Sequence, residues 1–172
     1  MDPLLALIRD VPDFPKPGIL FKDVTPLFGD GPGFREALGR MEAKARAFRP
    51  DAIVGIEARG FVLGAPLADR LGCGFIPVRK PGKLPTRSRR VDYGLEYGKD
   101  ALEMHIDAFA AGKRLLIVDD VLATGGTAAA AAELVRGGEG AVAGFLFLIE
   151  LTFLPGRARL GDAPVEAILP IG

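Results

Sequence analysis

The run Ile117-Val-Asp-Asp-Val-Leu-Ala-Thr-Gly-Gly-Thr127 carries the residue types needed to grip a phosphate. Asp119 and Asp120 close an apolar strand, and Ala123, Thr124, Gly125, Gly126 and Thr127 turn from it into a helix. Glycines let backbone approach an anion, successive N–H groups point inward, and a helix start adds partial positive charge. The two threonines supply hydroxyls. No lysine is present, so the loop is not the Gly-Lys-Ser/Thr nucleotide loop, and it does not match G-x-G-x-x-G. The two acids suit the hydroxyls of a ribose attached to that phosphate. The plainer alternative is a capped turn after a core strand. Adjacent acids at a buried strand end are expensive without partners, which disfavours it.

A second strand end, Gly55-Ile-Glu-Ala-Arg-Gly-Phe61, sets Arg59 beside Gly60 at another helix start. A guanidinium there suits a second anion, since it binds phosphate bidentately. An Arg59–Glu57 pair is an equal alternative on these residues alone. Lys80–Arg90 holds Lys80, Lys83, Arg87, Arg89 and Arg90, with Arg79 just before. Such a run is ordinarily a solvated loop. A nucleic-acid patch is disfavoured by the lack of interleaved aromatics, and a lid over a polyphosphate fits better. His105 is the single histidine and reads as structural, and Cys73 reads as packed.

The elements that position these residues follow from apolar spacing. Asp2-Pro3 starts a short helix over Leu4–Arg9, and Val11–Gly18, with three prolines, is extended and irregular. Phe34, Leu38, Met41, Ala45 and Phe48 fall at helical spacing. Strands are expected at Ala52–Ile56, Gly74–Val78, Leu115–Val118 and Ala141–Ile149, with helices at Phe61–Leu71 and Thr127–Arg136. Strands alternating with helices predict an α/β fold with a mostly parallel sheet covered on both faces. The insertion between the second and third strands carries an alternating segment, Ala101–Ile106, expected in an antiparallel arm.

Composition narrows the class. The chain has 172 residues, enough for one domain with a real core, and 49% are hydrophobic. Lys+Arg and Asp+Glu both number 22, so any anion site must be local. One cysteine allows no internal disulfide and fits a reducing compartment. The N-terminal residues lack the bases of a signal peptide, and the longest apolar run, Ala141–Ile149, is far below the ~18 residues of a membrane span. A cytoplasmic protein is expected. The sequence contains no Asn, Gln or Trp and a single serine, Ser88. Thermophily and codon bias both produce such a composition.

Taken together, Ile117–Thr127 resembles the phosphoribosyl pyrophosphate motif of the type I phosphoribosyltransferases. Asp13–Asp23, Glu57–Phe61, Arg79–Pro85 with Leu95–Gly98, and the tail Glu150–Leu160 resemble the adenine-specific members. The likeness runs nearly end to end. It implies the type I phosphoribosyltransferase fold, with about residues 1–30 as a small hood over the base site and a flexible antiparallel arm. It implies transfer of 5-phosphoribosyl from phosphoribosyl pyrophosphate to adenine, giving AMP and pyrophosphate, with Mg²⁺ held through the substrate, in a homodimer. By resemblance Ala123–Thr127 hold the 5-phosphate and Asp119 and Asp120 the ribose hydroxyls. Ala58, Arg59, Gly60, Arg79, Lys80 and Lys83 match pyrophosphate contacts. Leu20 (through its backbone) and Lys22 match the base-binding segment, and Glu96 matches the acid that assists proton transfer. Lys22 stands where the family leads one to expect arginine, and Thr86–Arg90 has no counterpart. The alternatives are an enzyme for another purine base and a regulator that senses phosphoribosyl pyrophosphate without catalysis. The former should lack the Pro15–Lys22 and Arg79–Pro85 segments; the latter should carry a DNA-binding module.

Overall fold

A computed structural model describes residues 2–95 and 98–172. The chain forms two compact units, Met1–Arg40 and Met41–Gly172.

In the first unit, Asp2 accepts the Leu4 amide hydrogen bond at 3.0 Å and starts a five-residue 3-10 helix, Pro3–Leu7. The helix expected to reach Arg9 stops short, because Arg9 opens strand β1 (Arg9–Pro12). That strand pairs antiparallel with β2 (Leu20–Asp23), so part of the segment expected to be irregular is a ribbon. Its loop is tied by the Gly18 amide donating to Asp13 at 2.7 Å. A short helix, α1 (Thr25–Gly29), was not foreseen, its five residues being too few to show a period. Helix α2 spans Gly31–Phe48, its residues from Met41 onward belonging to the second unit, and Leu38, Met41, Ala45 and Phe48 of the expected stripe are buried.

The second unit is built on five parallel strands. They are β3 (Ala52–Ile56), β4 (Gly74–Val78), β7 (Arg114–Leu122), β8 (Ala141–Leu151) and β9 (Val165–Ile171), in the order β4-β3-β7-β8-β9. Between β4 and β7 lies a hairpin, β5 (Ser88–Leu95) and β6 (Gly98–His105), in antiparallel register. Helix α3 (Arg59–Leu71) links β3 to β4, and α4 (Gly126–Gly137) links β7 to β8. Side chains alternate across a strand. Val54, Ile56, Leu115, Ile117, Phe145 and Phe147 therefore share one buried face with the apolar side of α4. On the other face, a methyl group at Gly64 of α3 would stand 3.4 Å from Ile53. The two helices thus cover opposite faces, as right-handed crossovers running outward from a switch point require. That switch lies between β3 and β7.

Several boundaries differ from expectation. β7 runs to Leu122, so Asp119 and Asp120 lie inside the strand rather than after it. β8 extends to Leu151, and β9 was unforeseen because its Pro170 and Glu166 break a clean strand pattern. Only 80–87 of the expected Lys80–Arg90 loop is a loop; Ser88–Arg90 belong to β5, where cross-strand pairing overrides the charge run. Among the described residues no helix is long and apolar enough to cross a membrane.

Candidate active site

In an open parallel sheet the carboxyl ends of the strands flanking a switch point leave a crevice for ligands. Here those ends are β3, continuing as Glu57-Ala58-Arg59-Gly60, and β7, continuing as Ala123–Thr127.

The β7 side is a turn into α4. Gly125 sits at φ +80, a left-handed conformation that side chains rarely adopt, and it precedes the first residue of the helix. Gly125 and Gly126 are buried while Ala123, Thr124 and Thr127 remain half-open. Asp120 is 3% exposed. Asp119 accepts the Asp120 amide hydrogen bond at 2.9 Å. Burial, then the neighbouring Asp120 charge, pushes the Asp119 carboxyl well above the usual carboxylate range.

The β3 side meets it closely. A methyl group at Gly60 would stand 2.8 Å from the Val118 carbonyl and 3.0 Å from Asp119 Oδ1, so only glycine fits there. Arg59 Nε donates to Asp120 Oδ2. The alternative partner, Glu57, is otherwise engaged. Its carboxylate accepts Arg79 Nη2 at 3.1 Å, Arg79 Nε at 3.2 Å and the Lys80 amide at 2.9 Å. The Arg79 hydrogen bond chiefly holds Glu57 below the usual carboxylate range, against the pull of burial. The bond between Glu57 and Ala58 is a cis peptide.

The basic segment is therefore partly fixed by acids. Arg79 Nη1 also donates to the Lys83 carbonyl at 3.1 Å. Lys80 Nζ pairs with Asp100 of the hairpin and donates to the Tyr93 hydroxyl at 3.3 Å. Burial depresses the Lys80 ammonium, but Asp100 and Tyr93 outweigh it, and the net shift is upward. Tyr93 donates to Asp100 at 3.2 Å and accepts from Thr127 at 3.4 Å. A chain of contacts thus joins Lys80 to the Ala123–Thr127 loop. Tyr93 and Asp100 were not singled out from the sequence. They face each other in the hairpin register, and only that register reveals them.

The structure accordingly brings together Asp119, Asp120, the Ala123–Thr127 loop, and Ala58, Arg59 and Gly60. Arg79 and Lys83 are joined to them through Glu57, and Lys80 through Tyr93. Leu20 and Lys22 lie on β2 of the N-terminal unit, where Leu20 is exposed and Lys22 donates to Asp10 at 2.6 Å. Glu96 lies outside the described residues. Among the described residues no three His, Cys, Asp or Glu side chains gather as a metal site.

Residues 30–152 match the model of the phosphoribosyl transferase domain. The chain is 57% identical over 162 residues to adenine phosphoribosyltransferase of Gloeobacter violaceus, covering 94% of this chain and 95% of that protein. It is 53% identical over 166 residues to that of Chloroflexus aurantiacus, covering 96% of each. The fold is similar to the crystal structure of adenine phosphoribosyltransferase from Thermoanaerobacter pseudethanolicus, with a TM-score of 0.91, 49% identity and 98% of each chain covered. It is equally similar, at a TM-score of 0.91, to the Saccharomyces cerevisiae adenine phosphoribosyltransferase complexed with an imino-altritol bisphosphate and adenine, with 44% identity and 96% of each chain covered.

Proposed function

The chain belongs to the phosphoribosyltransferase family, among its adenine phosphoribosyltransferases, and we propose that the two strand ends at the switch point divide the work of transferring 5-phosphoribosyl to adenine. The observation that carries this division is the close meeting of Gly60 with Val118 and Asp119, which sets the two turns side by side.

In this reading the backbone N–H groups and hydroxyls of Ala123–Thr127 hold the 5-phosphate at the positive end of α4. Asp119 and Asp120 hold the ribose hydroxyls. Ala58, Arg59 and Gly60, with Arg79, Lys80 and Lys83, receive the pyrophosphate. The anomeric C–O bond breaks with its electron pair leaving on pyrophosphate, and a bond forms from that carbon to an adenine ring nitrogen. The ribose passes through oxocarbenium-like character, as in glycoside hydrolysis, and the neighbouring acids stabilise the positive charge. Adenine loses its imidazole proton as the bond forms, and Glu96 is the carboxylate we assign to accept or relay it. Leu20 and Lys22 are assigned to the base. Lys22 contributes a point charge where an arginine would offer a planar fork.

Mg²⁺ would be held through the substrate's phosphates and water, in keeping with its reluctance to dehydrate and with the absence, among the described residues, of a carboxylate cluster that could cage it. When bound it neutralises charge developing on the leaving pyrophosphate. A homodimer in the cytoplasm, and the reading of 1–172 as one functional domain with residues 1–30 serving as a hood, complete the proposal.

The test is an assay of each purine base with phosphoribosyl pyrophosphate and Mg²⁺, following AMP and pyrophosphate release. Adenine should be the efficient acceptor. Turnover with guanine or hypoxanthine but not adenine would overturn the specificity and leave the reaction class intact. Glu96→Gln should slow single-turnover product formation, and unchanged turnover would remove Glu96 from the mechanism.

A further inference from the structure

The Ala123–Thr127 loop offers amides, hydroxyls and a helix terminus, but no cation of its own. One stands beside it, on the turn that follows β8. Two glycines bring that turn against the loop. A methyl group at Gly125 would run into the Gly156 carbonyl, and one at Gly156 would run into the Ala123 carbonyl. Arg157 fixes the turn from below. Its Nε and Nη2 donate to the two oxygens of buried Glu150 at 2.5 and 2.7 Å, and its Nη1 donates to the Val165 carbonyl at 2.7 Å.

Arg159, two residues on, is used differently. A methyl group at Gly125 would stand 3.3 Å from Arg159 Cβ, and one at Gly126 would stand 3.5 Å from Arg159 Nη1. Its guanidinium therefore lies over the first turn of α4. Arg159 is exposed, and among the described residues it has no carboxylate partner. A rigid neighbour holding an uncommitted guanidinium at an anion-binding turn is the arrangement that bidentate phosphate recognition uses.

We propose that Arg159 is a further substrate-binding residue, closing over the 5-phosphate from the side opposite the backbone amides and supplying the cation that the loop lacks. The inference rests on reading Ala123–Thr127 as the 5-phosphate site. Arg157 is the positioning residue that holds the turn, and Arg159 is the one that touches substrate.

The experiment uses the full chain with Arg159→Ala and Arg159→Lys, and two probes, ribose 5-phosphate and pyrophosphate, titrated calorimetrically and as inhibitors. Loss of one charge-assisted contact corresponds to roughly a tenfold weakening. Arg159→Ala should weaken ribose 5-phosphate and raise the KM for phosphoribosyl pyrophosphate by about that factor. Its kcat and pyrophosphate affinity should stay within about twofold of the parent, as expected for uniform binding. Arg159→Lys should fall between. Arg159→Ala binding ribose 5-phosphate as tightly as the parent would overturn the assignment, and so would equal weakening of both probes. A parent protein that binds pyrophosphate but not ribose 5-phosphate would instead overturn the reading of the loop itself.

Discussion

Arg59 Nε donates to Oδ2 of Asp120, joining the first turn of α3 to the end of β7 by a charge pair. Asp120 is almost fully buried in this pair, whereas the Arg59 side chain is 42% exposed. The pair therefore does two things. It lets an acid sit at a buried strand end, and it keeps the arginine side chain partly exposed beside that end. Removing the arginine strands a buried carboxylate, so Arg59→Ala should lower stability by about 1–3 kcal/mol, discounted for the exposure of the arginine. It should also lower kcat/KM by roughly a hundredfold, as expected when an anion contact at the leaving group is lost. Arg59→Lys should recover stability more than activity, because an ammonium pairs with Asp120 but presents no second face. Denaturant titration with steady-state kinetics checks this, and full recovery of both by lysine would contradict it.

Asp119 gives a pH signature. Its folded value is raised above the ordinary one, so the folded state binds the proton more tightly than the unfolded state. Its stability penalty is therefore absent below the ordinary carboxylate range and fully present above the raised value. Asp119→Asn should melt higher than the parent at neutral and alkaline pH, by about 2–4 °C for each kcal/mol relieved. The gap should close as the pH falls toward 4. Activity should drop by roughly tenfold or more, since an amide accepts less strongly from ribose hydroxyls. Melting curves across pH decide the matter, and a gap that widens in acid would be the wrong sign.

Glu57 has the opposite sign. Its folded value is lowered, mainly by Arg79, so its contribution is present above the ordinary carboxylate range and lost as pH falls through the folded value. Glu57→Gln should destabilise at neutral pH by about 1 kcal/mol, with the difference fading in acid. It should also loosen Arg79 and Lys80, whose side chain and backbone Glu57 holds. A raised KM for phosphoribosyl pyrophosphate would report that loosening, and an unchanged KM would show that Glu57 positions nothing.

Gly60 tests the packing. A methyl group there meets backbone at Val118, which cannot swing aside as a flexible side chain can. Gly60→Ala should cost about 1–3 kcal/mol and push the two turns apart. The activity loss should exceed what the stability loss alone explains. Thermal unfolding paired with kcat/KM checks this, and a stable, fully active variant would mean that the turns need not touch.

The parallel sheet was legible because its strands are buried on both faces and read as continuous apolar runs, as Ala52–Ile56 and Ala141–Ile149 do. The cradle was legible because Gly125 and Gly126 follow two acids in a pattern that few other needs produce. What the sequence withheld was pairing. Glu57 and Asp120 compete for Arg59 and Arg79 in ways that only the positions of the strand ends decide. Tyr93 and Asp100 become partners only through the hairpin register. Arg157 and Arg159 look alike in sequence, and the fold alone sends one to Glu150 and the other toward Gly126.

The most direct test of the divided site measures the two halves of the substrate separately. Ribose 5-phosphate and pyrophosphate are titrated against Thr124→Val and Arg59→Lys. Thr124→Val should weaken ribose 5-phosphate by roughly three- to tenfold and leave pyrophosphate unchanged, while Arg59→Lys should do the reverse. If both variants weaken the same half, or each weakens both halves equally, the two turns do not hold opposite ends of phosphoribosyl pyrophosphate.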